Sequence, residues 1–315
     1  MGNTESHDVS CDLENEDIKP ISNKKYFYDK YNWIPSHPGF EFNMLTKQIL
    51  DRKFDTTEAL PGYVDLRNNF PQIQSIENLP FNSIISVVYM LHYQLLKNNL
   101  PIFPPSGMYI YKHIEFYRNI KALFNFEIIF NSIKNNGFCS ENEFPTIESN
   151  LDGQISNKLK EKSMAFKFID VYRVTQELDT IKIILKNEYP ILIGLTVYYD
   201  LSSIDSYLWM PDKSEDKKLG GISGVLVGYI DERKMFIMAT TFGKNYGMNG
   251  YVLIPYDYVL DSDLTGELYT LDFKTDRVLG YITQRKEMVN LQNNVEIKRE
   301  NKKQYQQDTF GSLFK

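Results

Sequence analysis

The sequence predicts an α+β protein: a helical sub-domain, a strand-rich sub-domain and a cleft between them. Two observations carry this. Apolar residues recur at helical spacing in the first half, and short β-branched, aromatic runs replace them after about residue 160. Helices followed by strands in the chain is the order that segregates into an α+β arrangement. With 315 residues, 42% hydrophobic and 14% aromatic, the chain can bury a core of that kind.

Taken in order, residues 1–25 read as a flexible polar tail, carrying Glu5, Asp8, Asp12, Glu14, Glu16 and Asp17 with little to bury. Residues 82–98, "NSIISVVYMLHYQLLKN", set Ile84, Ile85, Val88, Leu91, Leu95 and Leu96 on one helical stripe. Asn82 and Ser83 are N-cap residue types at its start. The helical pattern continues over 106–136 and stops at Asn135-Asn136-Gly137. A further helix is predicted over 176–187. Strands are predicted over 189–199, 222–229, 234–241, 250–254 and 268–273, where Gly, Asp and Pro break the runs. The domain therefore spans 26–285, its helical part about 78–150 and its strand-rich part about 160–285. Residues 286–315 form a second polar tail that ends with Phe310, Leu313 and Phe314.

Composition removes several function classes. A formal charge of −6 and a pI near 5.4 argue against a general nucleic-acid binder, which needs a clustered positive surface. No apolar run reaches the length of a membrane span, and the polar, acidic start is not a secretory signal. The expected location is cytoplasmic or within a virion, not secreted. Cys11 and Cys139, the two cysteines, do not make a disulfide framework. No phosphate-cradling or dinucleotide glycine pattern and no metal-ligand spacing occurs, so no cofactor or metal is expected. Usage rich in Asn, Lys, Ile, Tyr and Phe and poor in Ala fits an A+T-rich genome such as that of a large DNA virus.

Five segments, in this order, resemble the papain-like cysteine peptidases: "KYNWIPSHPGFEFNML" (30–45), "LPGYVDLRNNFPQIQSIENLPFNSIISVV" (60–88), "NGFCSENEFP" (136–145), "YPILIGLTVYYDLSS" (189–203) and the stretch 220–259. The resemblance is to the branch that begins with W-x-P-D-x-P-D. That segment reads "WIPSHPG": Trp33, Pro35 and Pro38 remain and both aspartates are gone. The resemblance implies a papain-like fold over roughly 26–285. It also implies four catalytic positions: a cysteine at a helix N-terminus, a histidine base, an Asn or Asp that orients it, and a glutamine donating to the oxyanion.

All four positions are degenerate. Q-G-x-L-G-S-C falls on "IENLPFN", so the glutamine is Ile76 and the cysteine Asn82. G-G-H-A-V falls on "GGISG", so Ile222 stands for the histidine, while Gly220 and Gly221 remain. N-S-W-G falls on "TTFG", so Thr240 stands for the asparagine and Phe242 for the tryptophan. An aliphatic side chain neither carries a proton nor donates a hydrogen bond. Asn82 has a plainer role as a helix cap, and the glycines as sites of close backbone approach. The histidines, His7, His37, His92 and His113, all lie outside the strand-rich half. Cys139 sits where the family has a structural cysteine, His92 reads as a packed helix residue, and Ser83 and Ser223 have no nearby base.

The start "MGNTES" matches M-G-x-x-x-[ST], which makes Gly2 a candidate N-myristoylation site. One acyl chain gives weak membrane contact, so a second signal would be needed for stable attachment. The combined expectation is a catalytically inactive papain-like protein with a structural or binding role, with protein partners such as capsid or other virion proteins. A cysteine-type peptidase with an unrecognised nucleophile and a peptide-binding pseudoenzyme are the alternatives. The bulky residues around the old site, Ile76, Phe81, Ile222 and Phe124, predict that the cleft has become part of the core.

Overall fold

The computed structural model describes residues 31–37, 43–73, 79, 81–115 and 124–288. Gly2, Cys11 and Ile76 lie outside the described residues, as do both tails over 1–25 and 289–315.

The helices are α1 (Lys47–Lys53), α2 (Asn82–Lys97), α3 (Gly107–Glu115), α4 (Phe126–Asn136), α5 (Asn157–Ser163), α6 (Leu178–Lys186) and α7 (Tyr256–Leu260). A further helical stretch runs over 275–288 and crosses residue 285. The strands are β1 (Asn43–Met44), β2 (Tyr63–Asp65), β3 (Ile169–Arg173), β4 (Ile191–Val197), β5 (Gly220–Ile230), β6 (Met235–Ala239), β7 (Tyr251–Pro255) and β8 (Thr265–Phe273). They form one sheet in the order β1-β3-β8-β4-β5-β6-β7, with β2 paired to β5. Every pairing is antiparallel except β1 with β3. The five predicted strands are β4 to β8, shifted by a few residues at their ends. β1, β2 and β3 were not predicted: two to five residues give too short a run for a period to show.

α2 is the central element. A stripe was predicted, yet Ser83, Ser86, Val87, Tyr89, Met90, Tyr93 and Gln94 are buried along with the stripe, and Leu96 is exposed. A helix covered on nearly every side sits between the other helices and the sheet rather than on a surface. The Oγ atoms of Ser86 in α2 and Ser223 in β5, 2.9 Å apart, join it to the sheet.

One expectation about α2 is corrected. Its cap position belongs to Phe81, and no side chain caps it; Asn82 is the first helical residue. Phe81 is fully buried with its ring 4.5 Å from Tyr111, so packing of a large aromatic, rather than a polar cap, fixes how the chain enters the helix. By contrast α4 ends as expected. Asn125 caps its start by accepting from the Ile128 amide at 3.0 Å, and Gly137 closes it at φ 66°.

A Cβ at Gly137 would overlap the carbonyl oxygen of Ser163, and the positive φ is strained for any other residue. Gly137→Ala is expected to lower unfolding stability by about 2 kcal/mol or more, measured by urea denaturation. A change below about 0.5 kcal/mol would mean that this backbone contact can relax.

Candidate functional site

Three of the four positions are described: Asn82 at the start of α2, Ile222 in β5 and Thr240 just after β6. Asn82 opens α2, and its carbonyl accepts from Ser86 Oγ at 3.1 Å. Ser86 in turn meets Ser223, the residue after Ile222. Strand alternation puts Ser223 on the α2 face of the sheet and turns Ile222 to the other face. Thr240 follows β6, where its hydroxyl donates to the Gly250 carbonyl at 2.9 Å. Ile222 is 2% exposed and Asn82 9%, and Thr240 is equally enclosed. Phe242 is half-buried, its ring 4.8 Å from Tyr246.

A segment of the chain itself bridges the two sides. Residues 31–34 run between the lobes as a short extended strap. The Trp33 amide donates to the Gly221 carbonyl at 2.9 Å, and the Gly221 amide to the Tyr31 carbonyl at 3.4 Å. On the opposite edge, the Ile34 amide donates to Phe124 at 3.1 Å and the Phe124 amide to Asn32 at 3.2 Å. Gly221 belongs to the strand-rich lobe, and Phe124 leads into α4. The strap therefore hydrogen-bonds to both.

The Trp33 side chain explains three glycines. A Cβ at Gly194 of β4 would overlap the indole, a Cβ at Gly221 of β5 would overlap the Trp33 backbone, and one at Gly266 of β8 would lie 3.0 Å from the ring. The indole rests on bare backbone of three neighbouring strands. Its other neighbours include Phe126, at a centroid distance of 5.9 Å. The strap's ends are tethered by side chains. Tyr31 donates its hydroxyl proton to Asp200 at 2.9 Å, and its oxygen accepts from the Leu201 amide. The Ser36 amide and hydroxyl donate to Glu267 at 3.0 and 3.1 Å, and Tyr269 donates to the same carboxylate at 3.1 Å. These anchors were not found from sequence; the only trace was that Ser36 replaces an aspartate in "WIPSHPG".

Phe81, Ile222 and Phe124 are each buried, at most 2% exposed; Ile76 lies outside the described residues. Phe81, Tyr111 and Phe124 form a chain of ring contacts, at 4.5 and 6.1 Å, from the start of α2 to the strap.

The other candidates do not assemble a second centre. Cys139 is buried, and burial pushes its thiol up to about 12, with the Glu143 carboxylate adding to the effect. That is the opposite of an activated thiolate. His92 is half-buried on α2, and this burial lowers its pKa. The His113 ring sits 2.9 Å from the Tyr109 carbonyl, one turn back along α3. Among the described residues no helix is long and apolar enough to cross a membrane.

Two outcomes test the strap. Gly194→Ala is expected to push Trp33 off the sheet. That would raise amide exchange of residues 31–37 and cost about 2–4 kcal/mol of stability, read by exchange mass spectrometry and urea unfolding. Glu267 tests it through pH, because burial raises its carboxyl above the ordinary glutamate range. A raised folded-state pKa means that protonation favours the fold. The contribution is complete below the unfolded value and is lost as pH rises through the folded one. Glu267→Gln, which resembles the protonated form, should flatten this part of the pH–stability curve. An unchanged curve would exclude the carboxylate as its source.

No family model matches this chain. It is similar to an uncharacterized peptidase C1-like protein of Acanthamoeba polyphaga mimivirus. The two are 24% identical over 249 residues, which is 71% of this chain and 78% of the mimivirus protein. Among solved structures it is similar to xylellain, a cysteine protease from Xylella fastidiosa. That match has a TM-score of 0.69 at 21% identity, over 81% of this chain and 99% of xylellain. A digestive procathepsin L 3 from Tenebrio molitor larval midgut matches at a TM-score of 0.57 and 14% identity, over 69% of this chain and 72% of that one.

Proposed function

We propose that this chain, which has the fold of the papain-like cysteine peptidases, is an inactive pseudopeptidase that serves as a structural or binding protein. The observation that supports this reading is the strap: residues 31–36 are hydrogen-bonded to both lobes and to Glu267, and on this reading they take the place of an extended peptide. The residue types agree with it. An amide, an aliphatic and a hydroxyl that donates to a backbone carbonyl stand at Asn82, Ile222 and Thr240. None of them supplies a nucleophile paired with a base. The same strap counts against a groove that captures peptides, and the raised thiol of Cys139 counts against a displaced nucleophile.

The setting we propose is a large DNA virus, with the protein assembled into the particle through protein partners. The similarity to a mimivirus protein and the A+T-type residue usage support it. Acylation of Gly2 would add a weak membrane contact.

Incubated with a mixed peptide library, the purified chain is expected to release no products. A cleavage that disappears in Cys139→Ala would overturn the reading. Asn82→Cys combined with Ile222→His is also expected to give little activity, because the oxyanion donor and the orienting group are still missing. Expressed in eukaryotic cells, the N-terminal peptide is expected to carry a myristoyl mass on Gly2. A free or merely acetylated Gly2 rejects that part.

A further inference from the structure

Away from the strap, the segment joining β4 to β5, residues 198–219, exposes Tyr207 (53%), Trp209 (45%), Met210 and Leu219. Single exposed apolar residues are ordinary, whereas four drawn from one connecting segment, three of them within residues 207–210, call for an occupant. The patch is held rigidly. Leu208 is buried between its two exposed neighbours, and its amide donates to the Leu253 carbonyl at 2.8 Å. The Leu253 amide returns a bond to Ser206, which secures the segment along β7. The Trp209 ring stacks on Tyr199 with centroids 4.0 Å apart and planes 10° from parallel. The Tyr199 hydroxyl locks the stack, accepting from the Trp209 amide at 3.0 Å and donating to its carbonyl at 2.8 Å. An aromatic platform fixed in advance loses little freedom when something docks on it.

Charge says what could dock. The same segment carries Asp200, Asp205, Asp212, Glu215 and Asp216 against Lys213, Lys217 and Lys218. Lys213 is already taken up by Asp261 and Asp263, at 2.8 and 3.0 Å. Asp216 lies close enough to Tyr199 to add to the rise that burial causes in its phenol. The segment thus carries five carboxylates against three ammonium groups, Asp216 sets negative charge beside the platform, and an exposed indole face attracts cations. We propose that Tyr207, Trp209, Met210 and Leu219 form a docking surface for a lysine- or arginine-bearing segment of a partner protein, its cation over the aromatic face and balanced by the neighbouring carboxylates. The surface shares no residue with the degenerate catalytic positions, so its test is separate from that of the inactive reading.

The chain holds two tryptophans, Trp33 buried and Trp209 exposed, so quenching of exposed indole emission reports on this surface. Titration of the full chain with an alternating lysine–glycine decapeptide is expected to change Trp209 emission saturably and to weaken with added salt. Alternating glutamate–glycine and serine–glycine decapeptides are expected to leave it unchanged. Tyr207→Ser, whose fold is checked by circular dichroism, is expected to weaken the lysine peptide about two- to fivefold. Asp212→Asn with Glu215→Gln should weaken it through charge alone. An equal response to the serine peptide, or no saturable response to the lysine peptide, overturns the proposal. So does concentration-dependent self-association in sedimentation that Tyr207→Ser abolishes, since the occupant would then be a second copy.

Discussion

One buried indole governs what lies between the two lobes. Trp33 stands on the backbones of β4, β5 and β8 because Gly194, Gly221 and Gly266 leave it room, and a side chain at either of the first two would evict it. Burying such a ring removes about 150–250 Å² of apolar surface from water, of order 4–6 kcal/mol before ordering costs are subtracted. That is enough to hold an otherwise irregular segment in place. With the ring seated, the strap's amides and carbonyls find partners on both lobes, and Ser36 comes within reach of Glu267.

This gives the retained glycines a physical role independent of catalysis. In the resembling peptidases the glycine pair before the histidine belongs to the catalytic strand. In this chain Gly221 meets the strap backbone, and Gly220, at φ 150°, lies against Tyr31. Packing alone accounts for these glycines, whatever residue stands at 222. The degenerate positions read the same way. Ile222 and Phe81 bury apolar area, and the Thr240 hydroxyl satisfies the Gly250 carbonyl.

The buried Glu267 is the cost of that arrangement. A carboxylate 3% exposed accepts three hydrogen bonds, which offset part of its desolvation, yet its pKa is still raised. It is a polar anchor inside an apolar seam, and such anchors fix register more than they add stability. Ser36 suits it because a serine donates where an aspartate, the residue of the resembling motif, would repel.

Much was legible in the sequence because it is local. The periodicity of 82–98 is α2, the stop at Gly137 is the end of α4, and the β-branched runs are β4 to β8, since side-chain spacing along one element determines which faces can be buried. The residue types at the aligned positions, an amide, an aliphatic and a hydroxyl at Asn82, Ile222 and Thr240, were also plain, because they are read directly from the sequence. Only the tertiary structure decided how α2 begins, where "WIPSHPG" lies, why three glycines are needed, and that Cys139 is sealed away from a base. Those depend on partners far along the chain: Ser36 and Glu267 are 231 residues apart, and nothing in either neighbourhood marks the other. A short segment without a period has no intrinsic address. Its position is set by which hydrogen bonds and which hollow remain once the periodic elements have packed.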